Sequence, residues 1–400
     1  MNPYLQKLQT YPFEKLARLI QGHRHAGSLQ PVSLAVGEPR HATPGCILEA
    51  YAGNLSQLDR YPTTRGSEAL RAACSAWLTA RFDLPGHVIH ENQHVLPVNG
   101  TREALFACAQ CVIDADRHPV VLIPNPFYQI YEGAALLAGA QPVYYDSEVV
   151  GGDIPGLWEL EPGVWDRCQL VYICTPGNPT GQLVPQTTLQ RLVELSRRHD
   201  FIIASDECYA DIYPPGSPPP MGLLHSCQRS GDDTLHNCLA FYSLSKRSSV
   251  PGMRSGFVAG NAQLIERFLQ YRTYHGCTMP LPVQAASIAA WSDERHVIRN
   301  RELYQEKFRA VLEVLHDDLP CERPDAGFYL WPELPMDDQE FARRLFIEKN
   351  VLTLPGSYLA RTVAGTNPGS RHVRLALVAS KQECLHAAGR IRDFLQEAGS

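Results

Sequence analysis

The sequence lacks any uninterrupted apolar run of the roughly 18 residues that a membrane-spanning helix needs. Its N-terminus also lacks the apolar stretch and the small-residue cleavage site of a secretory signal. Residues 1–20 instead place Lys7, Glu14 and Arg18 among apolar residues at helical spacing, which predicts one amphipathic helix. We therefore expect no membrane partner and a cytoplasmic location.

The sequence also has no clustered stripe of lysine and arginine, and its formal net charge is -6. Nucleic-acid binding usually depends on such a stripe, so nucleic acid is not expected as a partner. Twelve cysteines are scattered through apolar stretches, which favours reduced thiols over disulfides. Cys108 and Cys111 form a CxxC pair, but helical spacing makes both core residues and no second Cys/His pair accompanies them. No metal site is predicted.

The middle of the chain carries a clear alternation of short apolar runs and longer helical patterns. This alternation is typical of an α/β fold, in which helices cover a sheet. Most runs are continuously apolar, so they are expected to be buried on both faces, as mostly parallel strands are. The predicted strands are residues 95–98, 120–123, 141–145, 170–174, 201–205, 239–243 and 254–259, and helical patterns between them cover residues 102–114, 128–138 and 185–199.

A chain of 400 residues exceeds what one hydrophobic core usually organises. Beyond residue 284 the pattern changes to long helical stretches, which indicates a second and smaller unit. Residues 213–220 are proline-rich and predict a surface loop. We predict an N-terminal arm with part of the small domain at 1–44, a large α/β domain at 45–284 and a small α+β domain at 285–400. Helices of the last unit are predicted at 284–316, at 338–349 and from 381 onwards.

Polar residues follow several predicted strands at the point where each strand ends, and ligands of open α/β sheets bind at such ends. The first strand runs through Gly100 into a helix that begins at Thr101 and Arg102. Glycine allows an anion to approach closely, and a helix N-terminus offers free N–H groups and positive potential. This junction predicts a phosphate site, although strand-glycine-helix junctions are common.

Two further strand ends carry Asp206 with Tyr209, and Asn178 within a turn of glycine and proline. Taken singly, Asp206 is more typical of a helix cap or a surface charge, and Asn178 of an ordinary turn. Lys246 follows another apolar strand, among Ser243, Ser245 and Arg254. Hydroxyls and a second cation beside it would lower the pKa of the lysine and hold a phosphate nearby, which favours a lysine that forms a Schiff base.

These segments, in this order, resemble the fold-type I pyridoxal-phosphate enzymes, the class I and II aminotransferases. The resemblance extends over nearly the whole chain and includes residues 34–39 around Gly37 and residues 371–376 around Arg374. It implies an α/β fold with a large domain, in which a mostly parallel seven-stranded sheet lies between helices, and a smaller α+β domain. It also implies pyridoxal 5'-phosphate as cofactor and amino-acid and 2-oxo-acid substrates.

The resemblance assigns a role to each residue of the strand-end motifs. Lys246 resembles the lysine that binds the cofactor as a Schiff base and then moves the substrate's α-proton. Asp206 resembles the acid that keeps the ring nitrogen protonated, and Asn178 with Tyr209 the pair that hydrogen-bonds the 3′-oxygen. Tyr128 resembles the aromatic side chain that stacks on the ring. Lys246, Asp206 and Tyr209 are the predicted catalytic residues.

The phosphate and the substrate carboxylate are assigned in the same way. By resemblance the phosphate is held by residues of two motifs, namely Gly100, Thr101, Arg102, Ser243, Ser245 and Arg254. Tyr61 resembles a tyrosine that reaches the phosphate of a neighbouring subunit, which implies a homodimer. Arg374 resembles the arginine that binds the α-carboxylate, with Gly37 and Asn178 beside it. The alternative is that Arg374 forms a structural salt bridge at the surface. Where this chain has Thr101 and Arg102, many relatives have small residues, so no phosphate contact is assigned to the Arg102 side chain.

Several strings are similar to the succinyldiaminopimelate aminotransferases of bacterial lysine biosynthesis, namely residues 126–131, 243–252, 271–276 and 354–361. This implies transfer of the amino group of N-succinyl-L,L-2,6-diaminopimelate to 2-oxoglutarate, which gives glutamate. Arg272, His275 and Arg361 lie in these strings and are candidates for binding extra substrate carboxylates. An aminotransferase for alanine, aspartate, aromatic amino acids or acetylornithine stays open, as does a β-lyase. Transcription regulators of the same fold carry a DNA-binding module for which residues 1–36 leave no room.

Overall fold

The computed structural model describes residues 1–24 and 27–398. The strands are β1 (Val32–Ser33), β2 (Val95–Val98), β3 (Val120–Asn125), β4 (Gln141–Asp146), β5 (Cys168–Cys174), β6 (Ile202–Asp206), β7 (Cys238–Ser243), β8 (Gly256–Gly260), β9 (Tyr329–Leu330), β10 (Val351–Leu352), β11 (Leu354–Pro355) and β12 (Val373–Ala376). Seven of them form the central sheet, in the order β2-β8-β7-β6-β5-β3-β4. β8 pairs antiparallel with β2 and β7, and the other pairs of that sheet are parallel, so the predicted α/β class with a mostly parallel seven-stranded sheet is confirmed.

Helices cover both faces of the sheet. The α-helices are α1 (Pro12–Leu19), α2 (Gly45–Ala52), α3 (Glu68–Phe82), α4 (Thr101–Val112), α5 (Ile130–Leu137), α6 (Pro155–Trp158), α7 (Pro162–Arg167), α8 (Gln186–His199), α9 (Leu223–Arg229), α10 (Leu244–Arg247), α11 (Ala262–His275), α12 (Leu281–Trp291), α13 (Arg295–Leu315), α14 (Asp338–Lys349) and α15 (Lys381–Ala398). Short 3-10 helices lie at Pro3–Lys7, Leu55–Asp59, Ala115–Arg117, Pro251–Met253 and Gly356–Leu359. Among the described residues, no helix combines the length and the apolar character that crossing a bilayer demands.

Alternate residues of β5 show why the predicted strands are continuously apolar. Val171 and Ile173 pack into one hydrophobic cluster, whereas Leu170 and Tyr172 pack into another on the opposite face. A strand with a core on each side has no face left for polar residues.

Both ends of the chain contribute to a third hydrophobic cluster. Val32 and Leu34 pack there with C-terminal residues such as Phe341 and Ile391. The strand β1 pairs in parallel with β10, and β9, β11 and β12 form a separate three-stranded sheet. The domain boundaries at 44/45 and 284/285 stay predictions.

Two predicted helices are interrupted in the structure. Residues 1–20 form the 3-10 helix at Pro3–Lys7 and the separate helix α1, because proline at residue 12 disfavours a helical conformation at Tyr11, which is extended. The stretch 284–316 is divided into α12 and α13. Asp293 lies in the break, and its carboxylate accepts a hydrogen bond from the backbone N–H of His296 at 3.2 Å, which satisfies one of the free N–H groups at the start of the second helix. Residues 213–220 form an irregular loop, as predicted.

Candidate active site

A cavity of about 500 Å³ opens where β6 and β7 end and α4 begins. This size falls within the roughly 300–1,000 Å³ range of small-molecule sites. Most of the predicted site residues line it, namely Gly37, Thr101, Arg102, Tyr128, Asn178, Asp206, Tyr209, Ser243, Ser245, Lys246, Arg254 and Arg374. The structure therefore brings together residues that lie up to 337 positions apart in the sequence (374 − 37).

Lys246 extends from the short helix α10 directly after β7. Ser243 caps this helix, since its hydroxyl accepts a hydrogen bond from the Ser245 N–H at 3.1 Å. The Lys246 amine donates to the backbone oxygen of Gly37 at 2.6 Å. Burial, assisted by the positive charges of Arg374 and Arg254, lowers the pKa of Lys246 to about 8. Near neutral pH a larger fraction of this amine is therefore neutral, and nucleophilic, than for an ordinary lysine.

Asp206 is the last residue of β6 and is only 3% exposed. Its carboxylate accepts hydrogen bonds from the Tyr131 hydroxyl at 2.7 Å and from the Cys208 N–H at 3.3 Å. Burial raises the pKa of Asp206, and the hydrogen bond from Tyr131 opposes that rise. The Tyr131 ring stacks on Tyr172 at 4.7 Å, which fixes the direction of its hydroxyl.

An anion cradle surrounds the start of α4. Gly100 has a φ of 87°, and a side chain there would come within 3.0 Å of the guanidinium carbon of Arg254. Arg254 donates to the Pro251 carbonyl at 3.0 Å and lies 3.5 Å from the Ser245 hydroxyl. The N–H of Thr101 begins the helix and has no intrahelical partner. The cradle thus concentrates hydrogen-bond donors and positive charge at one end of the cavity.

Arg374 also lines the cavity and is 5% exposed. Its guanidinium donates to the Ala35 carbonyl at 2.7 Å and to the Asn178 side-chain oxygen at 3.1 Å. Its Nε atom is buried and has no hydrogen-bond partner among the described residues. A buried donor without a partner is rare in folded proteins, and a carboxylate would satisfy it.

The structure adds cavity residues that the sequence did not reveal. Tyr329 lines the cavity, and its hydroxyl lies 3.0 Å from that of Tyr209. A side chain at Gly37 would overlap Tyr329. The motif around residues 327–331 was the available signal, but it carried no polar pattern that assigned it to the site. Tyr11 and Phe13 of the N-terminal segment also line the cavity.

Arg102 and Tyr128 are hydrogen-bonded to each other. The Nε of Arg102 donates to the Tyr128 hydroxyl at 2.7 Å, so this part of the guanidinium already has a partner. Burial raises the pKa of Tyr128, which keeps its hydroxyl protonated. The backbone N–H of Arg102 lies with the cradle, at the start of α4.

One predicted site residue lies away from the cavity, and three candidate cations do not reach it. Tyr61 is 99% exposed and does not line the cavity of its own chain. Arg272 donates to both oxygens of Glu103 at 2.8 Å, and Arg361 donates to Glu132 at 2.6 and 2.7 Å. These arginines form structural ion pairs because each has a carboxylate partner elsewhere in the fold. His275 is exposed at the end of α11.

Comparisons with known proteins agree with this geometry. Residues 30–391 match the family model for aminotransferase class I and II. A probable aminotransferase of Mycobacterium tuberculosis is 32% identical over 387 residues, covering 96% of this chain and 85% of that protein. An LL-diaminopimelate aminotransferase of Desulforudis audaxviator is 28% identical over 397 residues, covering 98% of this chain and 97% of that protein. The crystal structure of an aminotransferase from Neisseria meningitidis is 44% identical, with a TM-score of 0.93 over 98% of this chain and 100% of that chain.

Proposed function

This chain belongs to the class I and II aminotransferase family, whose members depend on pyridoxal phosphate, and from that premise we propose that its amino donor is N-succinyl-L,L-2,6-diaminopimelate. It is an enzyme that acts on amino-acid and 2-oxo-acid substrates. In the proposed reaction the amino group passes to 2-oxoglutarate, which becomes glutamate. The observation that carries the proposed site is the single cavity shared by the Lys246 amine, the Asp206 carboxylate and the Arg374 guanidinium.

The residues of the cavity fit pyridoxal phosphate. When bound, this cofactor supplies an aldehyde that takes up an amino group and a ring that spreads negative charge from the substrate's α-carbon. The cradle of Gly100, Thr101 and Arg254 suits a phosphate dianion, because it combines a helix N-terminus with a guanidinium. The buried Nε of Arg374, which lacks a partner among the described residues, suits the substrate's carboxylate.

Each proposed role follows from what the side chain can do. The neutral amine of Lys246 would hold the cofactor through its aldehyde and could accept the proton of the substrate's α-carbon. Asp206, at the end of a buried strand, would hold a proton on the ring nitrogen through its negative charge. Asn178 and Tyr209, which line the same cavity, would hydrogen-bond the cofactor's 3′-oxygen, and the Tyr128 ring would hold the cofactor ring. Ser243 and Ser245 add hydroxyl and N–H donors beside the phosphate.

Two observations support the choice of amino donor. The strings at 126–131, 243–252, 271–276 and 354–361 are similar to succinyldiaminopimelate aminotransferases. A relative that covers nearly the whole chain is named for LL-diaminopimelate, the same carbon skeleton without the succinyl group. Because Arg272 and Arg361 are engaged in ion pairs, they are not part of the proposal for the succinyl end.

We also propose that the enzyme is a cytoplasmic homodimer that shares its sites. A run of large apolar side chains lies exposed along one segment, namely Leu48, Tyr51, Leu55, Leu58 and Tyr61. Surface patches of this kind are typical of protein interfaces. In the proposed dimer, Tyr61 contacts the phosphate held by the other subunit. All twelve cysteines are free thiols, which supports the cytoplasmic location.

A half-reaction tests the proposed donor. The chain is loaded with pyridoxal phosphate, and its absorbance spectrum is followed as N-succinyl-L,L-diaminopimelate, L,L-diaminopimelate, alanine or aspartate is added in turn. Conversion to the spectrum of pyridoxamine phosphate at the lowest concentration with the succinylated donor, reversed by 2-oxoglutarate, is expected. A preference for another donor would retain the aminotransferase and exclude this substrate. In a separate sample with cysteine, whose thiol is a β leaving group, release of pyruvate and ammonia without conversion would indicate a β-lyase.

A further inference from the structure

The backbone that carries Lys246 depends on residues outside its own helix. The helix α10 has only four residues, and so short a helix is marginal without outside contacts. The backbone oxygens of Lys246 and Arg247 lie at its C-terminal end, where helix carbonyls lack intrahelical partners. The side-chain amide of Asn300, from helix α13, donates to both oxygens, at 3.2 and 3.1 Å.

The orientation of Asn300 is itself fixed by a buried chain of polar groups. Since its nitrogen faces two carbonyls, its side-chain oxygen faces His41, whose Nδ1 lies 2.6 Å away. His41 therefore carries its proton on Nδ1, and its Nε2 accepts a hydrogen bond from the Lys307 ammonium at 2.8 Å. Lys307 also donates to the Val378 carbonyl at 3.3 Å. Asn300 and Lys307 are 6% and 3% exposed, so water competes little for these bonds.

The charge states of the chain agree with this direction of hydrogen bonding. Burial, and then the charge of Lys307, lower the pKa of His41 to about 4. His41 is therefore neutral at physiological pH, as its role as acceptor from Lys307 demands. The other titratable groups that act on this pair are Arg299 on His41, and Glu383 with the Cys384 thiol on Lys307. Burial raises the pKa of that thiol to about 11, so it is neutral at physiological pH.

A second contact joins α13 to the end of α10, at Ser248. His296 lies one helical turn before Asn300, hence on the same face of α13, and its Nε2 lies 2.8 Å from the Ser248 hydroxyl. Asp293 holds the other ring nitrogen of His296 at 2.9 Å. Ser249, which follows Ser248, has a φ of 54°, and its hydroxyl donates to the His41 backbone oxygen at 3.2 Å.

Residues 37–41 thus contact Lys246 in two ways, directly at its amine and, through Asn300, at its backbone. The Gly37 oxygen accepts a hydrogen bond from the Lys246 amine, and His41 holds the Asn300 amide that binds the Lys246 backbone. We propose that Asn300, oriented by His41 and Lys307, is a positioning residue that sets the direction in which Lys246 presents its amine to the cavity. The positioning role of Asn300 rests on the proposed function, in which Lys246 carries the cofactor.

The test compares Asn300→Ala and Asn300→Asp with a matched control. Asn300→Asp keeps the shape of the side chain but turns the donor toward the two carbonyls into an acceptor. The control is Asn350→Ala, because the Asn350 amide also donates to a carbonyl, that of Leu29 at 2.7 Å, after the end of another helix. Each variant is loaded with pyridoxal phosphate, and three quantities are measured: the thermal midpoint, the pH titration of the visible absorbance band, and kcat with KM.

Both Asn300 variants are expected to move the midpoint of the absorbance titration and to lower kcat by about 10-fold, with KM changed less than about 2-fold. Asn350→Ala is expected to lower the thermal midpoint but to keep the titration and kcat of the wild type. If Asn300 variants that fold match the Asn350 variant in the absorbance titration and in kcat, the positioning role is wrong while the proposed function stands. A wild-type chain that shows no pH-dependent band would overturn both the positioning role of Asn300 and the proposed function.

Discussion

Tyr329 occupies the space that a side chain on Gly37 would need, since a Cβ at residue 37 would overlap the Tyr329 hydroxyl and lie 2.8 Å from its Cζ. The same hydroxyl meets that of Tyr209 at 3.0 Å, and the backbone oxygen of Gly37 binds the Lys246 amine. Gly37 is therefore required for close packing in the cavity. The absent side chain allows three segments from distant parts of the sequence to meet around one amine.

Replacing Gly37 by alanine is predicted to displace Tyr329. The added carbon overlaps a buried ring, so the free energy of unfolding should fall by about 1–3 kcal/mol. Catalytic efficiency should fall on the order of 100-fold, because the amine and Tyr209 move relative to the substrate. Steady-state kinetics and chemical denaturation measure both effects. Gly86→Ala is the control, because a Cβ at residue 86 meets no atom within 4 Å; equal losses in the two variants would refute the packing argument.

The rate of cofactor loading is predicted to depend on the titration of Lys246. Only the neutral amine attacks an aldehyde, and the pKa of Lys246 in the cofactor-free chain is lowered to about 8. The initial rate of binding should therefore rise with pH and level off above pH 8. Absorbance-detected mixing between pH 6.5 and 10 measures it, with N-α-acetyl-lysine as a reference amine. A rate that keeps rising through pH 10, as for an ordinary lysine, would disagree with the structure.

Replacing Arg374 by lysine is predicted to weaken substrate binding selectively. Lysine cannot reproduce the bidentate donation of a guanidinium. In the structure the Arg374 guanidinium already donates hydrogen bonds to Asn178 and Ala35. Loss of one hydrogen bond to a charged group corresponds to roughly a 10- to 100-fold rise in KM for the amino donor. Cofactor loading should be unchanged. Arg392→Lys, an exposed position on α15, serves as the control, and a similar KM change there would remove the assigned role.

Mixing two inactive variants is predicted to restore activity if Tyr61 serves the other subunit. Lys246→Ala chains retain Tyr61, and Tyr61→Ala chains retain Lys246, so each mixed dimer contains one complete site. With random exchange half of the dimers are mixed, which gives about a quarter of wild-type activity. Activity is measured after the two proteins are unfolded together and refolded. A mixture no more active than its separate components would show that Tyr61 does not act across an interface.

The sequence was informative where structure depends on local pattern. The apolar run around Val171 predicted a strand buried on both faces, and the structure places its neighbours in opposite clusters. The motifs around Asp206 and Lys246 were expected at strand ends, and the sheet brings those ends to one cavity.

Contacts between distant segments could not be predicted from the sequence. The pairing of Arg272 with Glu103, and the chain from Lys307 through His41 to Asn300, depend on how separate elements pack. No local pattern distinguishes a buried structural arginine from one that binds substrate. The break between α12 and α13 was missed for a different reason, since the polar residues that interrupt the helix also suit an exposed helical face.

The most direct test of the account is to locate the lysine that carries the cofactor. The loaded chain is reduced with borohydride, which makes the attachment permanent, and its peptides are analysed by mass spectrometry. We predict that the pyridoxyl phosphate mass lies on Lys246 and that addition of excess amino donor before reduction removes it. A label on another lysine, such as the buried Lys307, or no label at all, would contradict the central claim.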